Sequence, residues 1–389
     1  MRGNFICKAL FHENLRCTAV TASPILKPSF VQSHVGTSLL LSVRCMASTA
    51  NQDSFTVSYL MNACGLSPES ALSASKKVHF ETPEKPDSVI SFLKNHGFSQ
   101  TQISRTIKVE PSLLLSKIEK TLLPKFEFFY SKGMSSLDLV KIFALYPRIM
   151  CRSSKDHIIP IYNFIKSFLL TDEKTIASLK RCPYLIYFNQ ETFLEPNIRL
   201  LRSSGVPESN IAWLLVAHPM VFLTSTGRFN EAVEAAKGYG LDPLKSAFVE
   251  AIRVIRSLKT STWERKVDAY KRWGWSNEEI LAAFGKHPSC MMKSEKKIMV
   301  VMDFFVNKLG CESSAVAHYP KFVCMSFEKR IVPRCSVIQV LMAKGLINKV
   351  NFVTLMGMSE RLFLQKFVTC YEKQAPHLLK LYEEVKRKE

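Results

Sequence analysis

Residues 124–150 read PKFEFFYSKGMSSLDLVKIFALYPRIM, and one complete folding unit is legible in them. Pro124 suits the first turn of a helix, where its missing N–H is no loss and its fixed φ is already helical. The apolar run behind it stops at Gly133, a residue free to take the left-handed conformation that ends helices. Leu139 and Phe143 lie six and ten places after that glycine, four residues apart and so on one face of a second helix. Pro147 stops this helix, and Ile149 and Met150, second and third after the proline, suit a short 3₁₀-like turn.

The same punctuation recurs along the chain. Pro111, Pro147, Pro183 and Pro219 stand 36 residues apart, and Pro124, Pro160 and Pro196 repeat that spacing 13 residues later. The 13-residue offset returns between Pro320 and Pro333, whereas Pro288 has Val301 in its partner's place. Gly97, Gly133, Gly205, Gly240, Gly274, Gly310 and Gly345 mark a period of 34 to 36 residues, with Leu169 filling the missing position. Apolar pairs keep the register in the second helix (Ile103 and Ile107, Ile211 and Leu215, Ile280 and Phe284) and after the closing proline (Leu113 and Leu114, Leu185 and Ile186, Val221 and Phe222, Cys290 and Met291, Phe322 and Val323).

One such unit cannot bury its apolar face alone, so the units must stack. The expected fold is all-α, a curved α-solenoid of about eight repeats, each two helices plus a short turn. The repeat domain is expected over 85–370, with a linker and N-terminal cap at 49–84 and a capping helix at 371–389. That last helix is expected to turn Leu378, Leu379, Tyr382 and Val385 inward. The copy near 230–260 has Ala232 and Val254 where prolines would sit, which predicts merged or tilted helices.

Charge points to the partner. The chain of 389 residues carries 53 Lys and Arg against 33 Asp and Glu, a formal +20. Clustered cations gain by neutralising phosphates and releasing their counterions, so a polyanion is the natural ligand. Residues 1–48 hold Arg2, Lys8, Arg16, Lys27 and Arg44 against Glu13 alone, amid many Ser and Thr, the composition of an organellar transit peptide. Without it the chain remains strongly basic.

The eleven cysteines form no C-x-x-C and the nine histidines no H-x-x-x-H, so no metal or cofactor is expected and the thiols read as small buried apolar groups. The apolar stretch Ile211–Leu223 is broken by His218 and Pro219, which argues against membrane insertion. Phosphate-loop, dinucleotide and nucleophile-elbow patterns are all missing from the sequence, and no enzyme activity is expected. His218 and His287 share one repeat position and read as structural groups near a helix end.

A unit near 36 residues, closed by P-x-[LIVFC]-[LMIFV] and opened by a second proline, on a basic chain with an organellar leader, resembles the mitochondrial transcription termination factor (mTERF) family, especially its plant members. The resemblance covers about 85–370. It implies a superhelix whose basic surface follows double-stranded nucleic acid, acting in termination or initiation of organellar transcription or, in several plant members, in RNA processing and splicing. The irregular copies depart from the pattern, so contact positions of other members do not carry over.

The candidate contacts are cations that the repeat would array along one side: Arg148, Arg152, Lys180, Arg181, Arg253, Arg256, Lys259, Arg265, Lys293, Lys296, Lys297, Lys329, Arg330 and Arg334. Arginine can hold a phosphate with two parallel hydrogen bonds, whereas lysine supplies a point charge. Trp213, at helical spacing, is expected in the core. The leading expectation is a monomer on double-stranded DNA in the mitochondrion, with the chloroplast as the alternative compartment. Structured RNA is the alternative ligand, and a protein-binding solenoid is the reading from another class.

Overall fold

The structure, a computed structural model, describes residues 55–387 apart from residues 189 and 349. The transit-peptide reading of 1–48 lies outside the described residues. Among those described there is no strand, and no helix is long and apolar enough to cross a membrane. The chain divides between Phe229 and Asn230 into two compact units.

The N-terminal unit starts with a helical pair, 55–62 and Pro68–Ser75, joined at Gly65, which has φ +68°. Four repeats follow. In the second of them a first helix Leu123–Ser131, Gly133 at φ +84°, a second helix Ser136–Leu145 and a 3₁₀ turn Pro147–Cys151 succeed one another as the sequence implies. The other three pair Glu84–Asn95 with Gln100–Val109, Ile159–Leu169 with Asp172–Arg181, and Glu195–Ser203 with Glu208–Ala217, each closed by its 3₁₀ turn. The registered apolar pairs are its core: Ile103, Ile107, Leu139, Phe143, Ile211 and Leu215 are fully buried, and the second and third residues after each closing proline are buried too.

The C-terminal unit continues the pattern with more variation. Its helices pair as Thr260–Lys271 with Asn277–Lys286, Glu295–Asp303 with Ser313–His318, and Val332–Ala343 with Phe352–Gly357. Counting the irregular copy, eight repeats span 84–357. The helices of the irregular copy are not merged: Thr226–Gly238 and Ser246–Ser257 remain separate around Gly240, at φ +73°. What it lacks is the 3₁₀ closure, because the helix runs on through Val254, where a proline would have started the turn, and Leu258 then enters extended backbone.

Three further expectations need correcting. The paired prolines do not open their helices. Pro124, Pro160, Pro196 and Pro333 are each the second residue of an α-helix that continues from a π-helical turn: Ile118–Leu122, Ser154–Ile158, Gln190–Leu194 and Phe327–Ile331. A proline ring clashes with the carbonyl four residues earlier, and the wider π turn moves that carbonyl aside without forfeiting a donor that proline never had. Helices without a proline there, Thr260–Lys271 and Glu295–Asp303, begin with no π turn. The missing glycine is replaced by Leu170, at φ +67°, and not by Leu169, which is the last buried residue of its helix. In the capping helix Leu378–Arg387, Leu378 and Tyr382 are buried but Leu379 is exposed, lying one residue round from the inward stripe.

Candidate nucleic-acid interface

The cations nominated by the sequence divide into three groups. In the N-terminal unit they sit at the ends of the second helices and on the closing turns, where each meets a partner within that unit. Arg148, after Pro147, lies 3.5 Å from Glu110, and Lys180 lies 2.7 Å from Asp138. The hydrogen bond from Lys180, with another from Ser135, holds the Asp138 carboxyl below the usual carboxylate range. Arg181 donates from Nη1 to the carbonyl of Ala217 at 3.2 Å, tying its helix end to the next. Arg152 stacks over Tyr187 at 4.6 Å. All four remain on the surface, so they are accessible, yet each already serves the scaffold.

In the C-terminal unit, charges from three consecutive repeats converge. Arg253, on Ser246–Ser257, donates to Ser289 Oγ at 2.9 Å and to Glu250 at 3.4 Å, while Ser289 donates to Glu250. This clip draws the helix onto the closing turn Pro288–Met292. Beside it, His287 is half-buried, and burial holds its imidazole below the ordinary histidine range. Lys321, Lys293 and Arg253 push the same way, opposed by Glu250. Cys324, at the end of the next closing segment Lys321–Cys324, lies in the same field: burial raises its thiol to about 11, with Lys293, Lys297 and Arg253 acting downward and Glu250 upward. Arg253, Lys293, Lys297 and Lys321 therefore form one neighbourhood around His287 and Cys324, with Glu250 the carboxylate that acts on both. Lys296 is exposed on the helix that carries Lys297.

The remaining six cations are engaged with other partners, exposed or inside the protein. Arg265 is engaged by Glu295 at 3.0 Å, Lys259 is exposed ahead of its helix, and Arg256 is half-buried. Lys329 is exposed, and Arg330 donates to the carbonyls of Met356 and Met358 at 3.0 and 2.6 Å. Arg334 cannot serve as a surface contact. It is 1% exposed, donates from Nη1 to the carbonyls of Leu355 and Met358, and lies 4.8 Å from the Phe363 ring. Its place explains this, for Arg334 follows Pro333 as Lys125 follows Pro124 and Asn197 follows Pro196, and all three are buried.

Sequence reasoning missed Lys321, although it follows Pro320 as Arg148 follows Pro147. It also misplaced Trp213, which is 42% exposed, its ring 5.6 Å from that of His218. Trp213 lies two residues after the buried Ile211 and two before the buried Leu215, on the opposite side of the helix. Tyr184, on a closing turn, is likewise exposed and packs against Tyr146 at 4.6 Å. Of the thiols, Cys64, Cys182, Cys290 and Cys335 are buried, but Cys151 and Cys370 are exposed.

A family model described as mTERF matches residues 90–300 and 257–364, well over half of the sequence. The chain belongs to the mTERF family. Among curated mTERF relatives, it is 22% identical to the chloroplastic transcription termination factor MTERF8 of Arabidopsis thaliana over 262 residues, 67% of this chain and 51% of that protein. It is 20% identical to the mitochondrial transcription termination factor MTERF15 of the same plant over 266 residues, 68% of this chain and 50% of that one. The chain thus spans about half the length of these mTERF relatives.

Proposed function

We propose that this mTERF protein binds double-stranded nucleic acid in an organelle, DNA in the first place, and regulates transcription there. The observation that carries the reading is the convergence of Arg253, Lys293, Lys297 and Lys321, drawn from successive repeats, on the surroundings of His287 and Cys324, where Glu250 is the opposing carboxylate. Such a patch attracts phosphates at any base sequence and supplies affinity, while sequence choice needs further contacts. The names of the two relatives, termination factors of chloroplast and mitochondrion, support a role in organellar gene expression. The basic leader composition favours the mitochondrion.

Fluorescence anisotropy with a labelled DNA duplex tests this. Three phosphate contacts, one each from Lys293, Lys297 and Lys321, give a log–log slope of affinity against salt of about −3, from roughly 0.9 per phosphate. Weak binding at low salt, or a flat slope, removes the proposal. A second reading has its own observation: Trp213 and Tyr184 present exposed rings on a unit that also carries Arg152, Lys180 and Arg181. Exposed rings stack on unpaired bases, which structured RNA offers and a DNA duplex does not. Competition between matched DNA duplex, RNA duplex and a looped RNA separates the two.

A further inference from the structure

A cavity of about 450 Å³ opens in the C-terminal unit where the closing segment Lys321–Cys324, the π turn Phe327–Ile331 and the end of Phe352–Gly357 meet. Four cations line it, Lys321, Lys329, Arg330 and Arg334, against one carboxylate, Glu360. That carboxylate is already engaged by Lys386 at 2.5 Å. Arg330 and Arg334 spend donors on the carbonyls that end Phe352–Gly357, and Arg334 Nε has no acceptor. Burial, and then the neighbouring Arg330, hold the Arg334 guanidinium below its ordinary range, opposed by Tyr382 and Glu360, so the cavity floor carries two crowded guanidinium groups. Met325, Met356 and Tyr382 give the wall an apolar and aromatic part, and Cys324, Ser326 and Gly357 complete it.

We propose that this cavity binds a phosphomonoester attached to a sugar or ring, whether a free mononucleotide or the phosphorylated end of a nucleic-acid strand. Two features select a monoester over an internal backbone phosphate. A monoester brings about −1.5 to −2 charges at neutral pH, nearer the local excess of cations than the single charge of a diester. The volume falls within the range of small-molecule sites, and Met325, Met356 and Tyr382 offer a face for a sugar or base beside the charged wall. The strand-end form rests on the duplex-binding reading above; the free-nucleotide form does not.

The full chain is titrated with inorganic phosphate and with adenosine 5′-monophosphate, against chloride at matched ionic strength, and melting temperature and heat of binding are followed. Saturable stabilisation is expected with both, at least several-fold tighter for the nucleotide. The exposed pair Lys321→Ala/Lys329→Ala is expected to weaken binding at least tenfold, whereas Glu360→Gln, which removes the acid and releases Lys386, should tighten it. In a second arm, otherwise identical duplexes with 5′-phosphate or 5′-hydroxyl ends are compared. A preference of threefold or more for the phosphorylated end, lost in the double lysine variant, assigns the site to strand ends; nucleotide binding with no end preference assigns it to free nucleotides. No saturable response to phosphate or nucleotide together with no end preference overturns the proposal, as does a response that neither variant alters. Failure of the 5′-hydroxyl duplex to bind while the nucleotide still does would remove the interface reading and leave this site standing.

Discussion

Leu170 is the one non-glycine residue with positive φ among the described residues, and it stands where the other repeats place glycine. A side chain there meets the following carbonyl, at roughly 1–2 kcal/mol. Leu170 is 78% exposed, so its removal forfeits little burial. Leu170→Gly should therefore stabilise the protein by about 0.5–1 kcal/mol, after the greater freedom of glycine in the unfolded chain is deducted. The denaturation midpoint in urea should rise with its slope unchanged; a lower midpoint would mean that the leucine is held by contacts that its exposure does not reveal. The 36-residue count pointed one place too early because the preceding helix, Ile159–Leu169, is 11 residues long where Leu123–Ser131 and Glu195–Ser203 have 9. The helix takes its two additional residues from the link that follows, 170–171 against 132–135 and 204–207, so the cap moves while the prolines on either side keep their spacing.

The repeat solves one problem more than once with different side chains. After the paired proline, the first helix sends a polar group to backbone carbonyls that the local helices leave open. Asn197 donates from Nδ2 to the carbonyls of Phe222 and Thr224, both at 2.9 Å, and Arg334 serves those of Leu355 and Met358. Lys125 reaches the carbonyl of Thr121 in the π turn before its own helix, and Lys266, eight residues before Gly274 as Asn197 is before Gly205, reaches that of Lys293. Asn197→Ala would leave two carbonyls without this donor in a fully buried place, at about 1–3 kcal/mol for each group deprived. A loss of roughly 2–4 kcal/mol is expected in equilibrium unfolding, against less than about 0.5 for the exposed Asn163→Ala on the preceding first helix. Equal, small losses for both would show that the bridge from Asn197 does not join helix to closing turn. Helix pairs, glycine caps and closing turns were legible because proline and glycine act through the backbone, independently of their surroundings. The π turns and this carbonyl bridge were not, since a lysine or arginine in sequence looks the same whether it faces solvent or a row of carbonyls.

At the scale of the whole chain, net charge alone says little about where a polyanion would lie. Residues 55–229 hold 21 Lys and Arg against 14 Asp and Glu, and residues 230–389 hold 27 against 17, so both halves are basic. The difference is in pairing. Arg148 and Lys180 in the N-terminal unit face Glu110 and Asp138, whereas Lys293, Lys297 and Lys321 in the C-terminal unit share the field of Glu250 with Arg253. Exposed ion pairs contribute little to stability and leave little net charge for a ligand, while a cluster of like charges is relieved only when an anion arrives. Charge reversal at Lys293 and Lys297 together should consequently lower duplex affinity at low salt by at least tenfold and make the salt slope shallower by about 2, one step for each phosphate released. Lys180→Ala, which deletes a cation already matched by Asp138, should change affinity less than threefold. Binding isotherms for the two variants at several salt concentrations decide the matter: equal effects would mean that charge acts diffusely over the surface, and a dominant effect of Lys180 would move the contact face to the second helices of the N-terminal unit.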